Sequence, residues 1–304
     1  MLSAECRVMS PVMNRRKCLS SLSLAAAAAL TPRRAAGQLQ GRIFKAVKVT
    51  MIQAGQSTLD KFKITQDAGF DGISLFAPDR FNVQEALAAQ DKTGVKIHNV
   101  NGTYHWEQRL SDADPAVRAK AVQNLADAIQ FAGDCGADSV LLEIGKVTDP
   151  LRENQAQVEE RSMAGMRQVL PLAARLGVRI LCENVGNGFL PDATEWAGYL
   201  DRIHSPIVGA FFDIGNHHGF GGAPHWIRTL GARIVKIDVK DRNMTRNANC
   251  DLFDGDIAWD EVRAALREIG FTGWATAEVS GGDAERMRQV AQRMDRALGL
   301  AAAE

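Results

Sequence analysis

The chain has no surplus of either charge: Lys+Arg and Asp+Glu both number 36 in 304 residues. Gripping nucleic acid or an anionic membrane surface takes a basic excess, so both partners are disfavoured. No run beyond the N-terminal region is long and apolar enough to span a bilayer. The five cysteines (Cys6, Cys18, Cys135, Cys182 and Cys250) show no C-x-x-C spacing. An odd, scattered set does not describe a disulfide framework, and the three in the body read as buried thiols. No G-x-G-x-x-G follows the first apolar run of the body, which argues against a dinucleotide fold. A Gly-rich phosphate cradle and a linker-like stretch are also missing from the body.

What is there begins with Asn14-Arg15-Arg16-Lys17, followed by an Ala-rich apolar run from Cys18 to Leu30. A basic stretch before an apolar one of that length reads as a signal peptide, and the paired arginines suggest the twin-arginine route. Met13 is a plausible alternative start, and cleavage is expected near Ala36 or Gly37. No lipobox cysteine follows, so no stable membrane anchor is expected after cleavage. The chain thus divides into a leader, 1–37, and a single domain, 38–304, expected in the periplasm or secreted.

From Phe44 onward, short apolar runs alternate with amphipathic stretches. The runs Ala46–Ile52, Gly72–Phe76, Val95–Val100, Ser139–Ile144, Arg179–Val185, Val208–Ile214, Ile234–Val239 and Trp274–Val279 have the length of strands buried on both faces. Between them the spacing predicts helices, with Gly69, Gly94, Gly136, Gly177 and Gly270 at the left-handed cap. Repeated β-α alternation means parallel strands with right-handed crossovers. In a body of this length the expected fold is α/β, a single (β/α)8 TIM barrel.

Strand-end polar residues carry the chemistry, because barrel enzymes place their sites at the C-terminal face. Strand 4 ends at Glu143, strand 5 at Glu183-Asn184, strand 6 at Asp213-Ile214-Gly215-Asn216; strand 7 holds Asp238 with Lys240-Asp241 after it, and strand 8 ends at Glu278. One carboxylate at the end of an apolar strand can be an ion pair. Four on consecutive strands repel one another and call for a cation, protons or lysines. A metal or acid/base site is therefore expected at Glu183, Asp213, Asp238 and Glu278. His105, flanked by Tyr104 and Trp106, reads as a substrate contact. His98 reads as packing or a wall residue, His204 as a solvated turn and His225 as structural. His217 and His218 are placed to reach the mouth. Lys240 either neutralises part of the ring or binds a sugar hydroxyl. The acidic spacing of Asp254-Gly255-Asp256 reads as a turn capping the next helix.

These marks, with Gly255-Asp256-Ile257-Ala258-Trp259 and Gly270-Phe271-Thr272-Gly273-Trp274, resemble the xylose-isomerase-like barrel family of sugar isomerases and epimerases, over about residues 45–298. The resemblance implies that Glu183, Asp213, Asp238 and Glu278 bind one divalent ion, and that Glu183 and Glu278 are catalytic, moving a proton beside a carbonyl. Asn184, Asn216, Lys240 and His105 would contact substrate. Two positions depart from the pattern: Asp238 stands where a histidine is expected, and Asn216 where the family often has histidine. An all-carboxylate set favours Mn2+ or Mg2+ over zinc, or weakens metal binding.

The expected function is a metal-dependent sugar isomerase or epimerase acting through an enediolate on a free or oxidised sugar. A lyase or hydratase acting on 3-keto-sugars, or a sugar-binding protein without catalysis, are the competing readings. The expected partner is a small-molecule sugar or keto-sugar, not nucleic acid. A homo-oligomer is compatible with the sequence, and periodicity locates no surface for one.

Overall fold

A computed structural model describes residue 39, residues 42–77 and residues 80–300. The expected leader, 1–37, lies outside the described residues.

Eight parallel strands close on themselves: β1 (Ile43–Lys48), β2 (Gly72–Ala77), β3 (Lys96–Gly102), β4 (Ser139–Glu143), β5 (Arg179–Glu183), β6 (Val208–Asp213), β7 (Ile234–Val239) and β8 (Gly273–Ala277). The order around the barrel is β1-β8-β7-β6-β5-β4-β3-β2. Helices follow the strands: α1 (Thr58–Asp67), α2 (Val83–Thr93), α3 (Pro115–Asp134), α4 (Gln155–Leu176), α5 (Ala193–Ile203), α6 (Ala223–Leu230), α7 (Trp259–Glu268) and α8 (Ala284–Leu298). This is the expected (β/α)8 barrel. Side chains of Ser57, Asn82, Asp114, Asn154, Asp192 and Asp283 accept from first-turn backbone N–H groups, satisfying donors that a helix start leaves open. The five glycines expected at helix ends all take positive φ, between 68° and 85°.

Two boundaries differ from the sequence expectation in ways that matter. The first strand was expected over Ala46–Ile52 and instead runs Ile43–Lys48, with Val49–Met51 in a 3-10 turn. Val49, Met51 and Ile52 are buried, so their apolar character reflects burial and not membership of the β1 ladder. The shift makes Lys48 the last residue of its strand. The helix after β6, expected to start about Trp226, begins earlier, at Ala223; Pro224 sits in its first turn, where a missing N–H costs nothing.

Strands bury both faces. Outward residues such as Val140, Ile180, Phe212 and Ile237 pack under the helices in the main core. Inward residues alternate with them at period two. Leu141, Leu181 and Phe211 form a small apolar plug inside the barrel. Two residues further along their strands, Leu181 and Phe211 give way to Glu183 and Asp213. The plug thereby sets a dry floor under the acidic strand ends.

The loop after β7 is tied to one carboxylate. Asp241 is fully buried and accepts from the backbone N–H groups of Arg242 (2.8 Å), Phe253 (2.9 Å) and Ile257 (3.2 Å) and from Trp259 Nε1 (2.9 Å). A Cβ at Gly255 would lie 2.2 Å from Asp241 Oδ1, so only glycine fits there. The turn at Asp254–Asp256 therefore packs on Asp241. It does not cap α7, whose first turn has no side-chain cap.

Candidate active site

Glu183, Asp213, Asp238 and Glu278 each contribute a carboxylate oxygen to a group in which all four lie within 4.8 Å of one another. Asp213 and Asp238 are fully buried, Glu183 is 5% exposed, and the Glu278 side chain is about one third exposed. Asp213 Oδ1 accepts from the backbone N–H groups of Gly215 (2.8 Å) and Asn216 (2.9 Å), which fixes the carboxylate at the turn leaving β6. Asn184 clamps the same point. Its Nδ2 donates to the Asp213 carbonyl (3.0 Å), and its Oδ1 accepts from the Asp213 N–H (2.7 Å).

Two lysines enter the ring from the strand ends. Lys48 on β1 lies 2.8 Å from both Asp238 Oδ2 and Glu278 Oε1. Lys240, just past β7, lies 2.7 Å from Asp213 Oδ2 and 2.9 Å from Glu278 Oε2. Both lysines are buried. Four carboxylates thus face two ammonium groups, which leaves two negative charges uncompensated if all are ionised. Burial raises the Glu183 carboxyl well above its usual range, against the pull of Lys48. Burial likewise pushes Asp213 up to about 8, against Lys240. Burial opposes ionisation of Glu278 too, but there Lys48 and Lys240 together win and hold it below the usual carboxylate range. The two glutamates therefore sit in environments that drive their protonation apart.

A cavity of about 310 Å3 opens above the ring, lined among others by Lys48, Asn101, His105, Trp106, Glu183 and Glu278. The two glutamates expected to move protons are the two ring members that line it; Asp213 and Asp238 lie behind them. His105 also lines it. Its Nδ1 accepts from the Glu143 N–H at 3.3 Å, which leaves Nε2 as the protonated nitrogen of the neutral ring. Burial, then the nearby Lys48 charge, lowers its pKa to about 4, so the ring stays neutral at pH 7.

Other expected contacts fall elsewhere. Asn184 spends both ends of its amide on Asp213, which gives it a positioning part in place of a substrate contact. Asn216 does not line the cavity; its Nδ2 donates to Glu183 Oε1 at 3.2 Å. Lys240 neutralises the ring, the first of the two roles open to it. His217 does not reach the mouth: its Nε2 is 3.0 Å from the Val185 carbonyl, and its ring packs on Trp226. His98 is a packing residue, buried and stacked on Trp274, and His204 is an exposed left-handed cap of α5. Lys48 and Asn101 were not foreseen. The signal for Lys48 was a lone charge inside an apolar run, hidden by the misplaced end of the first strand.

The family described as xylose isomerase-like TIM barrel matches residues 62–298. The chain belongs to that family. Among curated proteins, L-ribulose-5-phosphate 3-epimerase UlaE of Escherichia coli (strain K12 / DH10B) is 22% identical over 234 residues, covering 73% of this chain and 82% of that protein. Among solved structures, a D-tagatose 3-epimerase-like protein superposes with a TM-score of 0.72 at 19% identity, over 84% of this chain and 98% of that one. The apo form of 3-keto-D-glucoside 4-epimerase YcjR from E. coli gives 0.71 at 14% identity, over 84% and 98%. At those identities the structural likeness speaks for the fold.

For a xylose isomerase-like barrel, the acidic ring could hold a metal ion. The orphaned oxygens support the fit. Asp213 Oδ2 and both Asp238 oxygens are buried without a well-directed hydrogen bond, although lysine nitrogens stand close by. Buried carboxylate oxygens with unspent lone pairs are costly unless a cation or proton takes them. A divalent ion brings the two positive charges that the lysines leave wanting.

Proposed function

We propose that the protein is a metal-dependent isomerase or epimerase of ketoses or keto-sugars, which moves a proton at the carbon beside a carbonyl. The observation that carries this reading is the sorting of the ring: Glu183 and Glu278 line the cavity, while Asp213 and Asp238 stand behind them. Glu183, Asp213, Asp238 and Glu278 would hold one Mn2+ or Mg2+, in keeping with an oxygen-only donor set. When bound, such an ion supplies charge that polarises the carbonyl and stabilises the enediolate.

The chain's own groups do the rest. The two glutamates serve as the proton-moving pair, one removing the proton and the other returning it. Asn216 orients Glu183 through its 3.2 Å contact. His105, neutral with Nε2–H as donor, is placed to hold a substrate oxygen. Trp106, 53% exposed on the cavity wall, offers a flat apolar face to the C–H side of a sugar. The names of the relatives, a ribulose-phosphate 3-epimerase and a keto-glucoside 4-epimerase, support a keto-sugar as substrate. We further propose that the protein works outside the cytoplasm, on the strength of Arg15-Arg16 and the apolar run that follows.

The test is a panel of ketoses and 3-keto-glycosides incubated with metal-loaded protein in deuterated buffer and read by mass. An isomer carrying one solvent deuteron supports the reading. Loss of water or an aglycone assigns the site to a lyase or hydratase. Exchange should fall by roughly 100-fold or more in Glu183→Gln, the loss typical of a missing general acid or base.

A further inference from the structure

A file of hydrogen-bonded side chains climbs the inside of the barrel and ends at the cavity. It starts at Lys236 on β7, whose Nζ lies 2.7 Å from Ser139 Oγ and also meets Asp138 and the His98 carbonyl. Ser139 Oγ is 2.8 Å from Asn99 Oδ1. Asn99 Nδ2 is 2.7 Å from Asn101 Oδ1 and 3.0 Å from Ser74 Oγ. Ser74 Oγ is in turn 3.1 Å from Asn101 Oδ1. Every side chain from Lys236 to Asn101 is buried, and Asn101 lines the cavity. A register shift makes the file reach this far. Ile73 pairs with Ile97 but Ser74 pairs with Asn99, so His98 is the extra residue of a bulge.

Chemistry fixes the direction of the file. An amine nitrogen held as Lys236 is can only donate to Ser139 Oγ, so the serine gives its own proton to Asn99 Oδ1. The Asn99 amide then presents Nδ2 to Asn101, whose Oδ1 must accept. That leaves Asn101 Nδ2 as an unspent donor, with no acceptor among the described residues and the cavity in front of it. In the closed strand order β3 lies four places from β7, across the barrel from the acidic ring. The ring side offers carboxylate acceptors, with Lys48 already engaged on Asp238 and Glu278; the β3 side offers Asn101 Nδ2 and His105 Nε2 as donors.

We propose that Asn101 is a substrate-binding residue, which donates from Nδ2 to a hydroxyl or carbonyl oxygen of a polyhydroxylated keto-compound, and that the file from Lys236 aims it. This rests on the reading of the cavity as a keto-sugar site. A site built to give a hydrogen bond rejects an analogue without the matching oxygen, because the donor is then buried unpaired. Asn101 therefore sets which sugars are accepted.

Asn101→Asp tests this directly, because it keeps the Oδ1 acceptor that Asn99 and Ser74 use and puts an acceptor oxygen in place of the donor, while Asn101→Ala, which adds no charge, must weaken binding too if the lost donor and not the carboxylate's charge is the cause. Binding of D-fructose, D-tagatose, D-allulose and L-ribulose to Mn2+-treated protein is measured by calorimetry, with melting temperature and bound metal followed alongside. The expected result is at least tenfold weaker binding of the best ketose, with metal content unchanged. One deoxy analogue of that ketose should bind the wild type as weakly as the parent sugar binds the variant, and lose nothing further in the variant. If Asn101→Asp does not fold, Asn101→Ala answers in its place. Undiminished binding in the variant, or a deoxy series in which no analogue behaves this way, overturns the assignment of Asn101 alone. No ketose binding by the wild type overturns the reading of the cavity and this assignment with it.

Discussion

Lys48 holds two carboxylates at once, Asp238 and Glu278, each 2.8 Å from its nitrogen. Removing one partner from a buried ion network leaves the others uncompensated, at a cost of about 3–5 kcal/mol. Lys48→Met should therefore lower the melting temperature of the metal-free protein. A divalent ion restores the missing positive charge, so Mn2+ should raise the melting temperature of Lys48→Met by more than it raises that of the wild type. Equal shifts would mean that the lysine and the ion do not share the ring. At this scale much of the site was legible. A carboxylate ending an otherwise apolar strand stands out, and Glu183, Asp213, Asp238 and Glu278 were all identified that way. Amide side chains were harder to place. Asn184 and Asn216 look alike in sequence, as polar residues at a strand end, but both turn inward, Asn184 to clamp the Asp213 backbone and Asn216 to hold the Glu183 carboxylate. Only hydrogen-bond geometry distinguishes a residue that holds a catalytic group from one that holds substrate.

Elements set which residues reach the cavity. The end of β1 was placed four residues too late because Val49, Met51 and Ile52 are buried outside the ladder, and burial alone does not mark where pairing stops. Lys48 was lost by that shift. Similarly, the third strand was read to stop at Val100, one residue short of Asn101, and the bulge at His98 left no mark in the apolar pattern. The end of β4 carries another acid, Glu143, which is 1% exposed and accepts from Asn187 Nδ2 at 3.1 Å through Oε1, while its Oε2 has no hydrogen-bond partner among the described residues. Burial pushes its pKa from 4.5 up to about 7. A carboxyl raised in the folded state keeps a proton that the unfolded chain has released, so its contribution to stability is lost as pH rises from 4.5 through 7. Glu143→Gln removes that penalty. The melting temperature of the variant relative to wild type should therefore be higher at pH 8 than at pH 5, by an amount on the order of 3 kcal/mol in stability. A difference that stays flat across this range would show that Glu143 is ionised in the folded protein throughout.

The whole molecule brings these parts together through the barrel's closure. Strands β5 to β8 are neighbours in the closed order, so four acids far apart in sequence meet at one mouth, over the plug of Leu141, Leu181 and Phe211. The fold was readable because β-α alternation and glycine caps are local signals that repeat. The balance of charge inside the mouth was not, since it depends on lysines from β1 and from the end of β7 converging on acids of β6, β7 and β8. With those lysines in place, the ring is two positive charges short of neutral when all four carboxylates are ionised, and burial favours protons on Glu183 and Asp213 where no cation is bound. Elemental analysis of freshly purified protein, paired with melting curves after chelation and after Mn2+ addition, measures that shortfall most directly. About one divalent ion per chain is expected, with a melting temperature that falls on chelation and recovers with Mn2+, and loss of both effects in Asp213→Asn with Asp238→Asn. Protein that is free of metal as purified, and whose melting temperature does not respond to Mn2+ or Mg2+, would contradict this expectation.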